Sequence, residues 1–260
     1  MITLLTCLVL AACGTASREA TPPDVPEGRS GVILEIRDEG GFAPIQASLT
    51  RIPRFVVFAD GSVVRHEPGA AGPGDGGFPL FQSRLPDADF TDILTYLDDL
   101  GLADEDRVDV NEALNVADAS TTVLTMYDGN GAHRLGVYAL GFEDPTDPRA
   151  AILSSMIDLL DAATTAVDGE VYEPPAYEVL VTSDVVDNGL QVQPRWPLDT
   201  PPDDLEELGI GPWRCVVVGS SEIGPALTEQ RDGASSSVWS YEGAEYLVLT
   251  VPLFPHEDGC

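Results

Sequence analysis

The 260-residue chain has no lysine; all 13 of its basic residues are arginine. That absence excludes every site built on a lysine, including the phosphate-cradling P-loop and the Ser-x-x-Lys nucleophile pair. Histidine is scarce too. His66, His133 and His256 lie far apart with no partner at a metal-ligand spacing, so each reads as an ordinary surface or strand residue. Bases are outnumbered 13 to 44 by acids, for a formal net charge of −31. A field of that sign repels nucleic acid and anionic headgroups, which argues against polyanionic partners. The imbalance reads first as coding bias plus solubility and second as adaptation to a saline habitat.

Other signatures are missing as well. The glycine-rich stretch 67–77 is followed by no helix pattern and is interrupted by Pro73, so it is a loop rather than a dinucleotide fingerprint. Gly219-Ser220-Ser221-Glu222 does not complete a nucleophile elbow. Asp104, Glu105, Asp106, Asp109, Asn111, Glu112 and Asp118 offer oxygens for a hard cation, but the EF-hand order with its central Gly and terminal Glu is absent. That segment reads as a solvated acidic loop through Ser120, with Asp118 making a turn into the next strand. Paired carboxylates discriminate nothing in so acidic a chain. The residues name no catalytic group, no cofactor-binding residue and no metal ligand.

What is present begins at the N-terminus. Met1 to Ala12 is an uncharged, mostly apolar run closing on Leu10-Ala11-Ala12-Cys13. About 12 residues suit a signal h-region and fall short of the roughly 17–25 of a spanning helix. Small residues before a cysteine are what lipoprotein processing requires, so the thiol of Cys13 is the expected lipid attachment site, with residues 1–12 as signal peptide. Leaders normally open basic and Met1–Thr6 carries no Arg, which predicts a basic region upstream of Met1. Residues 14–30 are polar, Pro-rich and aperiodic, a flexible tether spanning roughly 20–25 Å r.m.s. as coil. Cys7 leaves with the leader, so Cys215 and Cys260 remain. Exported cysteine pairs usually oxidise; the alternative leaves Cys260 free and the tail mobile.

Periodicity predicts strands at Val32–Ile36, Phe55–Phe58, Tyr177–Val181 and Trp213–Val218. Hairpins are expected around Asp60-Gly61, Asp128–Gly131 and Glu242-Gly243. One helix is predicted over 88–99, capped by Asp87 and ended by Gly101, and another over about 149–166, with Asp147 as cap and Pro148 in its first turn. Short helices are expected near Asp203–Leu208 and Pro225–Gln230. Glu173-Pro174-Pro175 is the candidate boundary between an α+β lobe (31–169) and a smaller C-terminal α+β lobe (176–260). Hairpins dominate and no βαβ fingerprint is present, so the class is α+β: antiparallel hairpins packed with two main amphipathic helices.

The Cys13 leader resembles that of a group of exported lipoproteins of high-GC Gram-positive bacteria to which no activity is assigned. So do the run Gly41 to Gly61 containing Ile-Pro-Arg-Phe-Val-Val-Phe-Ala-Asp-Gly, the 90–102 helix, and the tail Val-Pro-Leu-Phe-Pro-His-Glu-Asp-Gly-Cys (251–260). The resemblance implies a cell-surface lipoprotein with a C-terminal disulfide, held at the outer face of the membrane. Trp196 and Trp213, each beside a proline, read first as core or core-edge residues, with an exposed aromatic platform, for which Trp196 is the better candidate, as the alternative. The expected function is a non-catalytic module binding a protein or cell-wall component. A cell-envelope hydrolase with a site assembled from scattered residues is the alternative, and a solute receptor a weaker third.

Overall fold

In the computed structural model the described residues are 31–42, 45–50, 52–66, 80–111, 114, 116–142, 147–167, 169–185, 192–193, 195–223 and 236–260. They form an α+β fold of two sheets, of eight and six strands. The larger sheet contains β1 (Val32–Gly40), β2 (Phe55–Phe58), β3 (Ser62–His66), β4 (Leu80–Arg84), β5 (Arg107–Val110), β6 (Ser120–Asp128), β7 (Gly131–Tyr138) and β8 (Glu170–Val171). Their spatial order is β5-β7-β6-β1-β2-β3-β4-β8. The smaller sheet contains β9 (Ala176–Thr182), β10 (Val192–Gln193), β11 (Glu206–Glu207), β12 (Arg214–Gly219), β13 (Ser236–Tyr241) and β14 (Ala244–Leu253). Their order is β10-β13-β14-β9-β12-β11. All pairings are antiparallel except β5 with β7 and β10 with β13. The Glu173–Pro175 break falls between the sheets, although the first sheet runs to Val171, past the expected limit at 169.

Among the described residues, α1 (Ile45–Leu49) is a short helix, while α2 (Asp87–Leu100) and α3 (Pro148–Thr165) cover one face of the larger sheet. The reason is strand parity, since alternate residues face opposite sides. Leu34 and Ile36 on β1, Leu124 and Met126 on β6, Leu135 and Val137 on β7 and Val108 and Val110 on β5 all point to the helices. There they form one buried cluster with Leu94, Leu97, Leu153, Met156 and Leu160. A register shift between Val32 and Leu34 lets Ile33 join that core while Val32 turns to the opposite face.

The turns follow the expected chemistry. Gly61 at φ 83° makes the tight turn between β2 and β3, a conformation in which a Cβ is strained. Asp147 caps α3 by accepting from the Arg149 amide at 2.9 Å, with Pro148 as the first helical residue. Gly101 ends α2 in the left-handed region. Three expectations are corrected. Asp87 is the first residue of α2 rather than its cap; Pro86 holds the cap position and no side chain caps it. The acidic loop contains a strand, β5, because Arg-Val-Asp-Val alternates and its valines reach the core. The helix expected near Asp203–Leu208 is a single 3-10 turn, Pro202–Asp204, after which Glu206 and Glu207 pair with β12. The glycine-rich loop 67–77 and the helix expected at Pro225–Gln230 lie outside the described residues.

Candidate functional site

The face of the larger sheet away from the helices carries the other parity. Glu35, Arg37 and Glu39 of β1 stand opposite Thr125, Val123 and Thr121 of β6. Those three face Arg134, Gly136 and Tyr138 of β7, and Arg134 and Gly136 face Arg107 and Asp109 of β5. Two different coverings divide this outer face.

One end is sealed by the C-terminal tail. Phe254, which follows β14, buries itself among Val32, Val56, Val64, Leu80 and Tyr127 and stacks on Tyr172 at 5.6 Å. Immediately after it, His256 Nε2 donates to the Glu35 carboxylate at 2.7 Å, and Arg37 donates to Glu257 at 2.8 Å. Arg37 also bonds Glu35, and the Phe254 amide donates to Glu257 at 2.9 Å. Burial raises the Glu35 carboxyl, but the hydrogen bonds from His256 and Arg37 prevail and hold it below the ordinary carboxylate range. His256 therefore differs from the expected surface residue: its side chain is 2% exposed, as is that of Glu35, and its ring meets Tyr127 edge-on at 5.0 Å. Glu35, His256 and Glu257 are close enough to suggest a metal centre. However, the Arg37 guanidinium already bridges the two carboxylates and occupies the cationic position between them.

The other end is open. A depression of about 470 Å³ lies over Glu39, Arg107, Asp109, Thr121, Arg134 and Tyr138. A second, of about 430 Å³, shares Glu39, Arg107 and Arg134 and continues towards Glu35 and Arg37. Together they make a trough along the sheet. Its charges alternate in sign: Arg107 grips Asp109 with two hydrogen bonds, at 2.5 and 3.1 Å, and Arg134 bonds Glu39. The Asp109 carboxylate occupies the space a Cβ on Gly136 would need, so glycine at 136 is what lets it lie flat on the sheet. The only local trace of this trough in the sequence is the alternation Glu-x-Arg-x-Glu in β1 and Arg-x-Asp in β5, which the pairing of distant strands brings together.

Cys215 and Cys260 form a disulfide with Cα atoms 6.2 Å apart, within the usual range. Trp213 and Cys215 share one buried cluster, as their common strand face requires, whereas Val217 on the same face is 41% exposed. Trp196 is no platform: it is buried, edge-on to Tyr241 and Tyr246, with its Nε1 donating to the Thr200 carbonyl at 2.8 Å. The Ser220 hydroxyl donates to the Pro174 carbonyl, which makes it a joint between segments rather than a nucleophile. The acids of the 104–118 segment do not converge among the described residues. Glu105 meets Arg149 at 3.3 Å, Asp109 meets Arg107, and Asp118 turns the chain at φ 61°. His133 lies 3.1 Å from Asp128 and 3.2 Å from the Glu105 carbonyl. Cys13 lies outside the described residues. Among the described residues, no helix is long and apolar enough to cross a membrane. Comparison with known protein families, curated proteins and solved structures yields no match.

Proposed function

We propose that the chain is an exported lipoprotein, anchored at the outer face of the cell membrane through lipid on Cys13, whose folded part is a non-catalytic binding module. The trough on the open half of the larger sheet is its binding face. The observation that carries this reading is the division of that sheet face. The tail closes one half with Phe254, and the other half is left as a ligand-sized depression in which ion-paired arginines stand beside Leu114, Thr121 and Tyr138. The hydrolase alternative needs a carboxylate or serine joined to a histidine in an accessible pocket. Glu35 and His256 do meet, but both side chains are 2% exposed and committed to Arg37, Tyr127 and Phe254.

A partner of protein or cell-wall origin suits a module displayed on a tether. The test is site-specific photo-crosslinking on intact cells, with p-benzoylphenylalanine replacing Thr121 in the trough or Asp92 on the exposed side of α2. Adducts are expected from the Thr121 position and not from Asp92; equal labelling at both refutes a dedicated face. The anchor is tested separately. Two acyl chains hold a protein stably whereas one gives marginal binding, so Cys13→Ser should release the protein or leave an uncleaved precursor. A processed Cys13→Ser species still held tightly by membranes contradicts lipidation.

A further inference from the structure

We propose that Arg107 and Arg134 form a receptor for the carboxylate of a bound ligand; the inference rests on the trough being the binding face. The two arginines are register partners on neighbouring strands and point to the same side. Like charges directly opposite one another destabilise a sheet, and here they stand together in a chain with only 13 bases. Asp109 pairs with Arg107 and Glu39 with Arg134. Arg134 is nevertheless incompletely satisfied: its Nε is buried and has no hydrogen-bond partner among the described residues. A buried guanidinium N–H without an acceptor is costly, and Arg134 lines the depression, where a turn of its side chain would present that N–H to a ligand acceptor.

The chemistry of that acceptor follows from the guanidinium. Its planar fork matches a carboxylate with two parallel hydrogen bonds, the arrangement Arg107 already makes with Asp109. Glu39 and Asp109 neutralise the pair and Asp106 also lines the trough, so in a chain of net charge −31 an anionic ligand is held by its contacts to the fork and not by an excess of local positive charge. A monoanion meets the repulsion of that field once, whereas a phosphate dianion meets it twice. The repulsion is screened beyond about 8 Å at physiological salt, whereas contacts to the fork act at hydrogen-bond distance. A carboxylate monoanion is therefore the preferred ligand group. It has two sources in a cell envelope, the C-terminus of a peptide or a sugar acid.

The experiment follows the arginine Nε–H signals of the full mature chain by NMR at 0.15 M salt. The probes are N-acetyl-alanyl-alanine, its C-terminal amide and galacturonic acid. A saturable shift of the Arg134 Nε–H is expected with the peptide acid or the sugar acid and not with the amide, and whichever acid acts identifies the source. Arg134→Gln should weaken binding on the order of tenfold. Arg107→Gln, at a side chain 62% exposed and so harmless to folding, should do the same. Equal responses to acid and amide, or unchanged affinity in both variants, overturn the proposal. If no carboxylate binds while the Thr121 crosslink persists, the carboxylate receptor is wrong and the binding face stands; if the crosslink is lost as well, both fall.

Discussion

Replacing Cys260 by serine removes the disulfide at its exposed end and leaves the buried Cys215 in place. The bridge joins positions 45 apart in sequence. In the chain-entropy model, closing a loop of about 46 residues stabilises the fold by roughly 4 kcal/mol through the unfolded state. The three tryptophans, Trp196, Trp213 and Trp239, all belong to clusters of the smaller sheet. Tryptophan fluorescence therefore reports that sheet, while far-UV circular dichroism is weighted towards α2 and α3 on the larger one. In urea, Cys260→Ser should lower the fluorescence midpoint by an amount equivalent to about 4 kcal/mol. The slope should steepen because the unbridged unfolded chain exposes more surface. The thermal midpoint should fall on the order of 10 °C. A dichroism transition that stays in place would show the sheets unfolding separately; one that moves with fluorescence would show that the tail couples them. A fluorescence midpoint within about 1 kcal/mol of the parent refutes the entropic argument.

Glu35→Gln should be among the most damaging single changes, on the order of 3 kcal/mol in urea unfolding, because it removes the buried carboxylate that His256 and Arg37 both bond and leaves Arg37 only Glu257; a loss below about 1 kcal/mol would show that water reaches the cluster. Burial lowers the affinity of His133 for its proton, but the hydrogen bonds to Asp128 and the Glu105 carbonyl outweigh it, so its pKa is raised above 6.5. Its contribution to stability is thus fully present below the unfolded value near 6.5 and is lost as pH rises through the higher folded value. An NMR titration should place the His133 midpoint above 6.5 in the parent and lower in Asp128→Asn, and identical curves would contradict the pairing. Salt should raise the thermal midpoint between 0.1 and 1 M chloride, since screening shortens the reach of charge repulsion from about 10 Å to about 3 Å; a flat or falling midpoint would mean the charges are already dispersed.

The sequence was most legible where a local rule decides structure. Pro148 after Asp147 fixed the start of α3, Gly101 fixed the end of α2, and the Asp-Gly and Glu-Gly turns placed the hairpins. It was least legible where pairing is non-local. Nothing near β5 announces that Val108 and Val110 lie beside β7, because the parallel pairing brings together residues that are distant in sequence. The Glu206-Glu207 strand reads as helix by composition and is extended only because β12 offers it a ladder. The site was hidden for the same reason. The alternation of Glu35, Arg37 and Glu39 declares one face, but its partners Arg107 and Arg134 come from elements assembled at the sheet. Likewise, His256 has no sequence neighbour that reveals it; Glu35 lies at the other end of the described chain.

The position of β1 has a mechanical consequence. It is an interior strand, paired antiparallel with β2 on one side and β6 on the other, and the segment from Cys13 joins it at Gly31. Hydrogen bonds in such ladders run perpendicular to the strands, so a pull along β1 loads both ladders in shear, all at once rather than one after another. Glu35 and Arg37 add side-chain hooks to the tail, and the tail is itself riveted to β12 through Cys260. A pull applied through the proposed Cys13 anchor would therefore be taken up by both ladders together, and the edge strands would be spared.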